Sequence, residues 1–179
     1  MLKQLKQLNI ILSKILCVLL VTLFIVMVIL MMAQVFWRYY LELPLSWSEE
    51  IARYIFIVVT YIGASIAVHE KLHIEINLTD YFTNKYVKNN KKLMLINTSI
   101  NIAKNIVIFS VSLFFSYYSF NYAIEDYSFE QVSTSVGLPL FIVSGSIFIN
   151  LVIMAFFAFS QVFINFIEFN KLPLEEHQN

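Results

Sequence analysis

The stretch FWRYYLELPLSWSEEIARYIFIVVTYIGASIAVHEKLH, residues 36–73, joins the end of one apolar segment to the whole of a second. Its first half is unusually rich in charged and aromatic side chains for a place beside a membrane, among them Arg38, Trp47, Glu49, Glu50 and Arg53. Charged groups at membrane depth are costly and are usually paired or functional. Glu49 and Glu50 precede Arg53 at the i, i+4 and i, i+3 spacings, so on a helix both carboxylates can reach its guanidinium. We therefore expect these three residues to form one ion cluster.

The second apolar segment has two contrasting sides when it is drawn as a helix at about 100° per residue. One side collects small and polar residues: Glu49, Ala52, Arg53, Phe56, Thr60, Gly63 and Ala67. The opposite side collects branched apolar residues: Ile51, Ile55, Val58, Ile62 and Ile66. Small and polar residues mark helix contacts in membranes because they allow close approach and hydrogen bonding. This pattern predicts that the first side docks on another protein and that the second faces lipid. The alternative is an interfacial charge girdle whose small residues pack only within this chain.

The composition excludes an ordinary soluble domain. Of the 179 residues, 59% are hydrophobic and 13% are charged, whereas soluble domains have roughly 45–50% apolar and about 25% charged residues. The single cysteine, Cys17, cannot form an intrachain disulfide. No basic patch with interleaved aromatics is present, so we expect membrane lipids rather than nucleic acid as a partner.

Four apolar runs predict an all-α membrane protein with four transmembrane helices in a single membrane domain, 1–179. The spans are expected at about 10–35, 47–68, 102–124 and 140–160, since a bilayer core needs about 20 helical residues. The first run is longer than the apolar core of about 7–15 residues in a signal peptide, so it is predicted to stay attached as a transmembrane helix. Residues 70–92 are polar and basic, and we expect them to form an interfacial segment between helices 2 and 3.

The lysines are distributed on one side of the predicted membrane. All ten lie before or just inside the start of the first span, in the middle loop, or near the cytoplasmic ends of the later spans, whereas the other side has Arg38 and Arg53 as its basic residues. By the positive-inside rule, both termini and the middle loop are predicted to be cytoplasmic.

Catalytic chemistry has little support in the sequence. His69 and His73 have the i, i+4 spacing of helical metal ligands, but the third histidine is His177 in the tail. Haem and zinc sites need further ligands from other segments, so two interfacial histidines are the favoured interpretation. We expect no enzyme activity, no cofactor and no metal site. The predicted spans are continuous and uncharged at depth, which disfavours a self-contained transporter.

Several motifs resemble one known family. They are Arg38 after an aromatic pair, the run Trp47-Ser48-Glu49-Glu50-Ile51-Ala52-Arg53, Gly63-Ala64, His73, and Gly137-Leu138-Pro139 before the last helix. Together they resemble the DctQ-like small membrane subunit of tripartite ATP-independent periplasmic (TRAP) transporters, over nearly the whole chain. The last helix departs from the family pattern at Ser144-Gly145-Ser146.

The resemblance implies a scaffold role in the bacterial inner membrane. In that family a large permease subunit carries sodium and an organic acid, such as a C4-dicarboxylate or sialic acid, and a periplasmic substrate-binding protein delivers the acid. The small subunit binds the large one. The residues expected at this partner interface are Arg38, Trp47, Glu49, Glu50, Arg53, Thr60, Gly63, Ala67 and His73. Two alternatives remain at this point: a structural subunit of another membrane complex, or a haem-binding membrane oxidoreductase.

Overall fold

The computed structural model describes the backbone of residues 2–40, 42, 45–70 and 90–171, and side chains within 3–40, 42, 45–70 and 98–167. Four α-helices make up almost all of these residues: α1 (Leu2–Tyr40), α2 (Ser46–Glu70), α3 (Asn90–Ser128) and α4 (Phe141–Lys171). Each is long and apolar enough to cross a membrane. The predicted four-helix, all-α fold is therefore confirmed. Most of the interfacial segment predicted at 70–92 lies outside the described residues, and its last positions, 90–92, belong to α3.

The order in which the helices pack side by side differs from their order in the chain. Among the described residues α1 packs on α2, α2 on α4, and α4 on α3, while α1 makes a minor contact with α4. Helix α2 is thus held between α1 and α4. Helix α3 contacts the rest of the described chain through α4. Within the part of the chain that the structure describes, this order leaves one side of α2 uncovered.

The apolar core lies where α1, α2 and α4 meet. Leu16 of α1, Ile62 and Ile66 of α2, and Phe157 of α4 are buried together, with exposed fractions of 8% or less. The prediction that Ile62 and Ile66 face lipid is therefore wrong. Branched apolar side chains suit lipid and protein core equally, because lipid tails are as apolar as leucine. The helical wheel separates the two sides of α2 but does not reveal which side its neighbours cover.

Helices α3 and α4 meet along a seam of small polar residues. Four buried members of α3 are separated by seven, four and ten residues, spacings that fall on the a and d positions of a coiled-coil heptad: Asn105, Ser112, Ser116 and Asp126. The Ser119 hydroxyl donates to the Ser144 carbonyl across the seam at 3.3 Å, and the Phe120 ring lies 5.1 Å from that of Phe148. Small residues let the two backbones approach closely, so this seam fixes α3 against α4.

The loop between α3 and α4 has its own hydrogen bonds. The Ser133 amide donates to the Leu138 carbonyl at 2.9 Å, and the Leu140 amide donates to the Gln131 carbonyl at 2.9 Å. Gly137 has a φ of 70°, a left-handed conformation that glycine adopts at little cost. These bonds fold residues 129–140 into a compact turn before α4 begins.

Two long-range hydrogen bonds show which ends of the helices lie together. The Ser135 amide in the α3–α4 loop donates to the Glu50 carboxylate near the start of α2 at 2.9 Å. At the other end, Gln161 Nε2 of α4 donates to the His69 carbonyl at 3.1 Å. The α3–α4 loop and the start of α2 therefore lie at the same end of the protein. Which membrane side each end meets stays a prediction.

Candidate partner interface

The uncovered side of α2 carries most of the residues that the sequence assigned to a docking face. We define the open face of α2 as its exposed residues on this side, namely Glu49, Arg53, Phe56, Thr60, Ala64 and Ala67. Phe56 is 55% exposed. Ala52, which the wheel placed with them, is instead 3% exposed and belongs to the core side. A large aromatic side chain, a threonine and two alanines thus lie open along a membrane-length helix.

Glu49 and Arg53 form the predicted ion pair at the start of this face. The distance from Arg53 Nη2 to Glu49 Oε1 is 3.3 Å. The Arg53 side chain is 66% exposed and that of Glu49 is 62% exposed. An exposed pair of this kind contributes at most about 1 kcal/mol to stability. The pair is therefore available for a contact outside this chain and is not a major determinant of the fold.

Glu50 does not join the cluster, contrary to the sequence prediction. Its Oε1 accepts a hydrogen bond from the Tyr54 hydroxyl at 2.8 Å, and its Oε2 accepts one from the Ser135 amide at 2.9 Å. On a helix, successive residues point about 100° apart, so Glu50 turns away from the open face while Glu49 stays on it. The i, i+3 spacing would allow Glu50 to contact Arg53. In the structure Glu50 instead accepts a hydrogen bond from the distant Ser135 amide.

Thr60 and Gly63 lie in the middle of α2. The Thr60 hydroxyl donates to the Phe56 carbonyl of its own helix at 2.8 Å, so it is satisfied without a partner. Gly63 is half-buried at the edge of the open face. A Cβ added there would lie 3.5 Å from Leu20 Cδ1, an ordinary contact. Gly63 therefore borders α1 of this chain, and a bulky substitution there would disturb the α1–α2 packing as well as any external contact.

The remaining predicted site residues lie around the helix ends. Arg38 is exposed in the last turn of α1, where a cation suits the helix dipole. Trp47, in the first turn of α2, is 44% exposed. His73 lies outside the described residues. The His69 ring lies 4.9 Å from that of Phe157, tilted by 46°. Within the described residues no group of three or more metal-ligand side chains forms.

Sequence reasoning missed the buried contact between Asp126 and Ser144. Asp126 is 2% exposed, and its Oδ2 accepts a hydrogen bond from the Ser144 hydroxyl at 2.7 Å. A signal was present, because Ser112, Ser116, Ser119 and Asp126 repeat at steps of four, three and seven residues. That repeat predicts one buried helix face.

Comparison with known proteins finds a family model and a relative that match this chain. Residues 27–167 match the family model described as "Tripartite ATP-independent periplasmic transporters, DctQ component". The chain is also 34% identical over 88 residues to the sialic acid TRAP transporter permease protein SiaT of Haemophilus influenzae (strain 86-028NP). That alignment covers 49% of this chain and 14% of the relative, so this chain spans a small part of the relative's length.

Proposed function

This chain belongs to the DctQ component family of tripartite ATP-independent periplasmic transporters, and we propose that it is the small membrane subunit of such a transporter. In this role it binds the large permease subunit and enlarges its fixed scaffold, while a periplasmic substrate-binding protein supplies the substrate. It acts as a multi-pass protein of the bacterial inner membrane and catalyses no reaction itself. A structural subunit of another complex would share the open face but not the family match.

The observation that carries the proposal is the open face of α2. Helix α2 is covered by α1 and α4 on its apolar side, yet it leaves an ion pair, a phenylalanine, a threonine and two alanines uncovered. Small and polar residues at membrane depth are typical of helix–helix contacts. We propose that the large permease subunit covers this face.

The proposed substrate is an organic acid taken up with sodium. Sialic acid is the first candidate to test, because the name of the matched relative specifies it, and C4-dicarboxylates are the second. Reconstitution tests the assignment: proteoliposomes containing this chain, the permease and the binding protein should accumulate one of these acids under a sodium gradient. Liposomes containing this chain alone should accumulate neither. Uptake by the chain alone would contradict a scaffold role.

A pair of substitutions tests whether the permease covers the open face of α2. Thr60→Trp places a bulky ring on the open face and should reduce co-purification with the permease about tenfold, equivalent to 1.4 kcal/mol of binding. Thr22→Trp is the matched control, since Thr22 is also exposed, on α1, and its hydroxyl likewise donates to its own helix, at 2.8 Å to Val18. Equal co-purification of the two variants would show that the permease does not cover α2 at Thr60.

A further inference from the structure

Glu50 links two parts of the chain that are 85 residues apart. Both of its carboxylate oxygens are used: Oε1 accepts from the Tyr54 hydroxyl at 2.8 Å and Oε2 from the Ser135 amide at 2.9 Å. Tyr54 lies one helical turn further along α2, so it holds the carboxylate in the direction of the loop. Hydrogen bonds to an ionised acceptor are about twice as strong as neutral ones.

The Ser135 bond differs in kind from the others in the loop. The Ser133, Gly137 and Leu140 amides donate to carbonyls within residues 131–138, and the Val136 amide donates to the Ser133 hydroxyl. These bonds define the shape of the loop. The Ser135 amide instead donates to a side chain of α2, although Ser135 is exposed. It defines where the loop lies relative to α2.

We infer that Glu50 is a positioning residue that fixes the α3–α4 loop against the first turns of α2. Its neighbour Glu49 begins the open face, so the loop is held beside the end of that face. If the proposed function holds, the permease meets a loop already in place and does not have to order it on binding. Glu49 and Glu50, adjacent and chemically identical, thus have separate roles, one at an external surface and one within the chain.

Hydrogen exchange of single amides in the purified chain tests this inference without any partner, so it stands or falls separately from the proposed function. The chain is embedded in lipid nanodiscs, and exchange is resolved by electron-transfer fragmentation. In Glu50→Ala, exchange of the Ser135 amide should rise about tenfold or more, as expected for loss of a bond to a charged acceptor. The Leu140 amide, bonded to the Gln131 carbonyl, should keep its protection. Glu50→Gln retains an acceptor oxygen and should restore most of the Ser135 protection.

Glu49→Ala is the matched control and should leave both amides unchanged. Unchanged Ser135 exchange in Glu50→Ala would overturn the inference. Equal loss of protection at Leu140 and Ser135 would also overturn it, because Glu50 would then support the folding of the loop rather than its position.

Discussion

Asp126, at the end of α3, accepts a hydrogen bond of 2.7 Å from the Ser144 hydroxyl in the first turn of α4, and both residues are buried. A buried carboxylate that loses a donor keeps its desolvation cost, whereas the serine hydroxyl also approaches the Leu140 carbonyl at 3.2 Å. The carboxylate is therefore the more sensitive member of this pair.

Ser144→Ala should destabilise the protein by about 1–3 kcal/mol, the cost of leaving a buried polar group without its partner. Ser146→Ala is the control, because the Ser146 hydroxyl donates to the Val143 carbonyl of its own helix. Thermal unfolding in detergent should show a lower midpoint for Ser144→Ala alone. Equal midpoints would show that the Asp126–Ser144 bond does not stabilise the α3–α4 contact.

Phe157→Ala should destabilise by about 3–5 kcal/mol, the range for removing a buried phenylalanine from a packed core. Its side chain is completely buried against Leu16, Ile62 and Ile66. Phe166 lies on the same helix and is 55% exposed, so Phe166→Ala should change stability much less. A comparable loss in both variants would contradict the placement of the core.

The number of membrane-length helices was predictable from the sequence, because about 20 consecutive apolar residues must span a bilayer. Their extent was not, since the helix Asn90–Ser128 runs well beyond the span expected at 102–124. Which helix faces contact each other was less predictable. Ile62 and Ile66 suit lipid and protein core equally well, so their sequence pattern did not reveal that α1 and α4 cover them. The Glu49–Arg53 pair was predictable from local spacing. The hydrogen bond that Glu50 accepts was not predictable, since its donor is a loop amide 85 residues away.

Arg53→Ala should barely change the stability of the isolated chain, by about 0–1 kcal/mol, because the pair with Glu49 is exposed. In complex with the permease the same substitution should weaken co-purification, since Glu49 would be covered without its partner. Thermal unfolding and co-purification, measured on the same preparations, separate the two effects. A large loss of stability in the isolated chain would show that the pair supports the fold instead.

The predicted sidedness is testable by labelling single cysteines in a Cys17→Ser background. Thr134→Cys, in the exposed part of the α3–α4 loop, should react with an impermeant reagent added outside. Cysteines at Lys88 and Gln178 should not, because the lysine distribution predicts that both are cytoplasmic. External labelling of the cysteine at Lys88 would show that the predicted orientation in the membrane is wrong.

Site-specific photo-crosslinking tests most directly whether the open face of α2 meets the permease. A photoreactive phenylalanine analogue is placed at Phe56, which is 55% exposed on α2, or at Val107, which is 61% exposed on α3. In membranes containing both subunits, the probe at Phe56 should crosslink to the permease, and the probe at Val107 should react with lipid. A permease crosslink from Val107 with none from Phe56 would contradict the proposed interface.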